Sequence, residues 1–327
     1  MRGHPKMLDL SRRRRLRVAL LSLVVVGVLS SALSACGDDS PPSSEGAGIT
    51  VRAGEFNWSA AKLTMAILAE VTRQNPDLGV ARIQSTQLGP AAAWAGAERG
   101  DLDLLAEVAL PNQQELADKA KNRMTLLHQT YGDAAQGWFV PTYATQPGKP
   151  LAGLTSVTQL NQYKEQLGGK LIDADPSFIT TQQNKKRLAG YKIDFQQVTS
   201  SETAQLAELR RAYERQQPIL VYLYHPHWVF REFQLTQLQE PNPYRPDCFT
   251  TGDGACAMPA YSAWTAGSKE LEKNAPKFYA MLQKFELPLG DVESMLKSID
   301  IDKQPAEQVA KQWVDSHQRE VKRWLDA

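Results

Sequence analysis

The side chains able to do chemistry are few and scattered. His225 and His227, one residue apart, carry imidazoles of the kind that bind zinc. They share one face of a strand only if Pro226 tolerates a regular strand, and neither acid nor thiol is placed with them. Structural or pocket-lining histidines are therefore expected, and no metal. Cys248 and Cys256 bracket the turn-rich Phe249-Thr250-Thr251-Gly252-Asp253-Gly254-Ala255, which reads as a disulfide formed in an oxidising compartment, with a metal pair as the weaker alternative. Gly252-Asp253-Gly254 reads as a tight turn, because a calcium loop needs further oxygen ligands. The sequence has no Gly-x-Ser-x-Gly elbow, Walker loop, His-Glu-x-x-His or glycine-rich dinucleotide turn, so neither an enzyme nor a cofactor is expected. Trp58 and Trp138 lie beside turns rather than within periodic apolar faces, which makes them candidates for touching a ligand. Trp228 and Phe230 read as core beneath them. Trp264, Trp313 and Trp324 read as structural, the last two on an amphipathic helix with Ala310, Val314, His317 and Val321.

The beginning of the chain sets the compartment. Arg12 to Arg15 and Arg17 precede the apolar run Val18 to Leu33, which is the pattern of an export signal and too short for a stable span of about 20 apolar residues. Leu33-Ser34-Ala35-Cys36 resembles the lipobox of bacterial lipoproteins, implying cleavage before Cys36 and lipidation of its thiol. Residues 1–35 are thus expected to be a lipoprotein signal peptide. Residues 36–48, rich in Ser, Pro and Gly, are expected to be a flexible tether to the outer face of the cell membrane. The formal charge of the whole chain is +1, but the leader holds seven bases and one acid. Without it 30 bases face 35 acids, leaving −5, and no basic surface remains for nucleic acid.

The elements that must position these residues alternate. Strands are expected at 49–53, 81–84, 102–106, 170–173 and 219–223. Helices are expected from Ser59, over 91–99, 156–167 and 202–215, and after Ser177, and the tail 269–325 is expected to be largely helical with breaks at Pro288 and Pro305. Alternation of this kind implies an α/β class with mainly parallel sheets, and about 290 residues beyond the leader suit two lobes.

Four separated segments together resemble the glycine betaine, choline and proline-betaine binding proteins of ABC importers, over most of residues 49–327. These are Asn57-Trp58 at a helix start, Gly100-Asp101-Leu102-Asp103-Leu104-Leu105 with Glu107 and Pro111, Gly137-Trp138-Phe139-Val140-Pro141-Thr142-Tyr143, and Tyr224-His225-Pro226-His227-Trp228-Val229-Phe230 with Leu235, Leu238 and Pro241. The resemblance implies a two-lobed binding-protein fold with a hinge. Lobe one would comprise 49–143 and 245–327, and lobe two 144–244. It implies a permease and an ATPase as partners, and a quaternary ammonium solute held between the lobes in an aromatic cage. A trimethylammonium group donates no hydrogen bonds, so ring faces must select it, at about 0.5–2 kcal/mol per desolvated contact against about 8 kcal/mol for micromolar binding.

Carried over residue by residue, the cage falls on Trp58, Trp138 and Tyr224, the last replacing the more usual Trp. Ala109 stands where many relatives have a further Trp, which enlarges the pocket; Trp94 or Glu107 would compensate. A carboxylate at Glu107 would favour a net cation such as choline over zwitterionic betaine. Asn57, Ser177 at a helix start, and His225 complete the expected ligand-binding set. The alternatives are a bulkier cationic or amino-acid-like solute on the same fold, a cell-envelope enzyme, or a scaffolding lipoprotein.

Overall fold

The computed structural model describes residues 48–326. The leader, Cys36 and the tether up to residue 47 lie outside the described residues. In chain order the elements are β1 (Ile49–Phe56), α1 (Ser59–Gln74), β2 (Val80–Leu88), α2 (Pro90–Arg99), β3 (Leu104–Leu110), α3 (Gln114–Ala120), β4 (Met124–Ala134), β5 (Gln136–Pro141) and α4 (Thr142–Thr145). They continue with β6 (Lys170–Asp173), α5 (Ile179–Gly190), β7 (Gln196–Thr199), α6 (Glu202–Glu214), β8 (Val221–Tyr224), α7 (Val229–Glu232), β9 (Leu235–Gln237) and β10 (Tyr261–Ser268). The tail forms α8 (Lys269–Asn274), α9 (Pro276–Leu282), α10 (Leu289–Asp300), α11 (Ala306–Ser316) and α12 (Gln318–Leu325).

Two five-stranded sheets give the two lobes. The first runs β2-β1-β3-β10-β4 and the second β7-β6-β8-β5-β9. In each, one half is parallel and the other antiparallel: β1 pairs parallel with β2 and β3, whereas β10 runs antiparallel to β3 and β4. Likewise β6 is parallel to β7 and β8, and β5 antiparallel to β8 and β9. Four strands of each sheet thus run one way, as the expectation of mainly parallel sheets has it, and a single strand, β10 or β5, runs against them. These two are the first strands after the chain changes lobe, and each enters its sheet from the cleft side.

The change of lobe falls elsewhere than expected. Residues 136–141, placed in lobe one by the sequence reading, pair with β8 and β9 in the second sheet. Cys248, Phe249, Cys256 and Met258, likewise expected in lobe one, pack into the second lobe's core with Trp138, Leu188 and Tyr222. The chain therefore leaves the first sheet at Ala135 and rejoins it at Tyr261. Cys248 and Cys256 are joined in a disulfide.

Local sequence explains the elements that carry the cleft. Helix α1 buries Ala60, Leu63, Ile67, Leu68 and Val71, a stripe at helical spacing whose larger members each gain roughly 2 kcal/mol on leaving water. Pro90 at the first turn of α2 needs no amide donor there, and Gly100 closes that helix in the left-handed conformation. Pro288 and Pro305 stand immediately before α10 and α11, where the expected breaks fall. The segment 157–163 winds as a 3-10 helix under a capping box of Ser156 and Gln159, a tighter and shorter form than the helix expected there.

Candidate functional site

Between the lobes lies a cleft of about 460 Å³, its open mouth included, lined by the starts and ends of elements from both sheets. The first lobe contributes Trp58 before α1, Pro90 opening α2, Glu107 and Ala109 on β3, Asn112 and Gln113 before α3, and Tyr261 opening β10. The second contributes Gln136 opening β5, Phe178, Ile179 and Thr180 at the start of α5, and Tyr222 and Tyr224 on β8. Residues two apart on a strand share a face, so β8 presents both tyrosines to the same side.

The rings stand in two groups along the cleft. Trp58 stacks on Phe56 at 4.6 Å and meets Phe178 of the other lobe edge-on at 5.1 Å. Tyr224 lies 6.2 Å from Tyr222, tilted to it, and 6.4 Å from Tyr261, which it meets edge-on. The Tyr261 phenol donates to the His225 carbonyl at 2.5 Å, and the Tyr222 phenol to Gln136 Oε1 at 2.9 Å, so the hydroxyls are tied back and the ring faces are left for contact. Burial raises the pKa of Tyr222, Tyr224 and Tyr261, which keeps all three phenols protonated.

Glu107 is the one lining side chain charged at neutral pH, and it is 2 % exposed. Its backbone stands at φ 66°, where β3 and β10 slip register between Trp264 and Ala266. An extra residue on β3 makes a bulge there, and the bulge re-aims Glu107 into the cleft wall. Burial raises its pKa to about 6, with Tyr131, Thr64 and Trp58 pulling the other way as hydrogen-bond partners. Tyr131 donates to Oε2 at 2.5 Å and Thr64 to Oε1 at 2.9 Å. Donors on both oxygens suit an ionised carboxylate, which only accepts.

Two amides have their orientation fixed by neighbours that can play one role only. Trp94 Nε1 donates to Gln113 Oε1 at 2.7 Å, which fixes the oxygen of this cleft-lining amide on Trp94 and leaves its NH2 group for another acceptor. Gln136 accepts from Tyr222 and donates to the Pro259 carbonyl at 2.7 Å, and a reciprocal pair of bonds with the Asn112 amide, each 3.3 Å, fills its remaining donor and acceptor.

Of the residues expected at the site, Trp58, Tyr224 and Glu107 line one cleft. Trp138 does not. It is fully buried in the second lobe's core, its ring under the Arg187 guanidinium at 4.0 Å and its Nε1 donated to Asn184 at 2.8 Å. Gln136 and Trp138 share a face of β5, Gln136 opposite Tyr224 and Trp138 two residues further on opposite Tyr222, but Asn184 and Arg187 of α5 cover the Trp138 ring and shut it off from the cleft. Trp94 is buried behind Gln113 and reaches the cleft only through it. His225 faces away, stacked on Phe230 at 3.7 Å with Nδ1 3.1 Å from Glu293. Asn57 and Ser177 sit at the rim and join the lobes through an Asn57 Nδ2 to Ser177 Oγ bond of 3.3 Å. A Cβ on Gly89 would meet Ser177 Cβ and Oγ at 2.7 Å, so only glycine permits this approach.

Residues 49–316 match the family described as the substrate binding domain of ABC-type glycine betaine transport systems. The chain belongs to that family. Substrate-binding domains of this family serve a transporter and are not enzymes. The glycine betaine/carnitine transport binding protein of Listeria monocytogenes is 28% identical over 159 residues. That match spans 47% of this chain and 48% of the relative, so about half the length of the curated protein is covered. Among solved structures, lactococcal OpuAC complexed with glycine betaine superposes with a TM-score of 0.71 at 24% identity, covering 85% of this chain and 99% of that one. A choline binding protein in complex with choline gives 0.71 at 18% identity, over 84% and 91% of the two chains. A glycine betaine/L-proline-binding protein of Borrelia burgdorferi gives 0.70 at 20% over 84% and 96%. These likenesses establish the two-lobed fold.

Tyr222, Tyr261, Phe178, Gln113 and Gln136 also line the cleft and stand outside the set expected from sequence. Tyr222 was signalled by its spacing of two from Tyr224 in a strand. Tyr261 carried no local signal, since more than 150 residues separate it from Glu107 and only the antiparallel placement of β10 against β3 brings the two together.

Proposed function

We propose that this chain captures a small quaternary ammonium compound in the interlobe cleft and presents it to an ABC permease driven by a separate ATPase. Trp58, Phe178, Tyr222, Tyr224 and Tyr261 form the cage in this reading, with Glu107 as counter-charge. Tyr261 stands in for the wall lost at Ala109. The Gln113 NH2 group, Thr180 and the free amides opening α5 offer donors to the ligand's polar end.

The observation that carries the proposal is a buried carboxylate set in an aromatic wall with no Lys, Arg or His among the lining residues. A methylated cation gains from the ring faces and from Glu107 together, whereas a free carboxylic acid meets only Glu107's repulsion. Choline should therefore bind more tightly than glycine betaine. The names of the relatives, which bind glycine betaine, carnitine or choline, support the ligand class.

Calorimetric titration with choline, glycine betaine, proline betaine and carnitine tests this. Micromolar binding of at least one, with Glu107→Gln shrinking the choline-to-betaine ratio, is the expected result. Failure of all four to bind would end the proposal. The chain is also proposed to be exported and held at the outer face of the membrane through a lipid on Cys36. Mass spectrometry of the N-terminal peptide after expression in a bacterial host reads that directly: a diacylglyceryl adduct is expected, and unmodified Cys36 or loss of the cysteine contradicts it.

A further inference from the structure

Behind the cage, on the side of the rings away from the cleft, one buried carboxylate ties the two lobes together. Glu202 opens α6 in the second lobe and is 8 % exposed. Its Oε2 accepts from the Ser59 amide at 2.9 Å and the Ser59 hydroxyl at 3.1 Å, at the first turn of α1 in the first lobe and one residue from Trp58. Its Oε1 accepts from the Tyr224 phenol and lies 3.6 Å from His227 Nε2. His227 Nδ1 accepts the Val229 amide at 3.2 Å, which places the ring proton on Nε2, facing Glu202.

We infer that Glu202 is a positioning residue that couples the setting of two cage rings to closure of the lobes, without touching the ligand. The inference rests on the solute-binding reading of the cleft. A carboxylate shared by the head of α1 and the Tyr224 phenol fixes Trp58 through its neighbour and Tyr224 directly, and both oxygens are satisfied only while the lobes are together. Separation strips Glu202 of the Ser59 donors and leaves Tyr224 with a partner no longer anchored to the first lobe. Burial works to raise the Glu202 pKa, yet His227, Tyr224 and Ser59 hold it below the usual carboxylate range, as a carboxylate kept ionised by its donors requires. The far side of this latch opens on a second cleft bounded by Arg210, Trp228, Asp300 and Lys303. The Ser59 hydroxyl also reaches Asp300 Oδ1 at 3.2 Å, so water has a route in when the latch parts.

The test compares full-length wild type with Glu202→Gln, Glu202→Ala, Tyr224→Phe and the Glu202→Gln, Tyr224→Phe double variant. Affinity and dissociation rate for choline and for glycine betaine are followed by tryptophan fluorescence, and amide hydrogen exchange around Ser59 is measured without ligand. Gln keeps one acceptor oxygen for Ser59 but turns an NH2 group toward the phenol and His227. Glu202→Gln should weaken binding about ten- to hundred-fold, the range set by charge-assisted hydrogen bonds, and mainly through faster dissociation. Tyr224→Phe should weaken it in wild type and add little in the Glu202→Gln background, since the two act through one bond. Glu202→Ala should speed Ser59 exchange, with Gln partly restoring protection. Unchanged dissociation in Glu202→Gln, or fully additive losses in the double variant, overturns the coupling. If wild type binds neither probe, the solute reading fails by itself, and the exchange comparison still decides whether Glu202 holds the lobes together: no difference at Ser59 refutes the latch.

Discussion

At the scale of single residues, Glu107 sets the most direct prediction. Its pKa of about 6 means that some nine-tenths of the carboxylate is charged at pH 7 and about one-tenth at pH 5. A cation prefers the charged form, so affinity for choline should fall about ten-fold as pH drops from 7 to 5. Titration calorimetry across that range should lose this slope in Glu107→Gln. The sign for folding is opposite. A carboxyl whose pKa is raised on folding supports the native state most below about 4.5, and that support is lost as pH rises through about 6. Trp138 makes a different prediction. Being fully buried against Arg187 and Asn184, it should destabilise the protein by about 3–5 kcal/mol on replacement by Ala, as a cavity in the second lobe's core, whereas Tyr261→Ala should cost mainly affinity. Denaturant melts paired with choline titrations separate the two. Of the three rings that the motifs singled out, Trp58 and Tyr224 line the cleft and Trp138 does not, because a motif records which residues recur together and not which side chains, here Asn184 and Arg187, cover each one.

At the scale of elements, the close approach of the α2 head to the second lobe carries the next test. Gly89→Ala would drive a methyl to 2.7 Å from Ser177 and hold the lobes apart. A ten-fold or greater loss of choline affinity is expected, largely recovered in Gly89→Ala with Ser177→Gly; a neutral single variant would show that the rim contact does not govern closure. Elements of this kind were legible where periodicity was strong: α1, α2, β2, β6 and the tail helices fall within a few residues of expectation. The one reversed strand in each sheet was not legible. Strand direction depends on where the chain crosses between lobes; the family resemblance implies an outward crossing over 137–143, just beyond Ala135, whereas nothing about Pro259 marks the return.

For the whole molecule, the second lobe includes the disulfide loop 248–256, whose Asp253 carbonyl and Gly254 lie so close to Gly190 at the end of α5 that a Cβ there would meet backbone at 2.4 Å. Replacing Cys248 and Cys256 together by Ser should lower stability by about 2–3 kcal/mol through the freed loop, visible as a lower melting temperature. The α5 head lines the cleft, so ligand affinity should fall with it. Saturating ligand at roughly 100 times its dissociation constant should add about 2.7 kcal/mol to wild type.

Both strands that carry the chain between lobes begin with a cleft residue, Gln136 on the way out and Tyr261 on the way back, and Gln136 is bonded to Pro259 just before the return. A solute bound as proposed would thus lodge at the axle of the molecule rather than out along its jaws. A guest at the pivot needs to shift its surroundings only slightly for the far edges of both lobes to swing widely. A docking membrane protein can therefore sense an occupied cleft from the outline of the rim, with no relay of contacts leading inward to the guest.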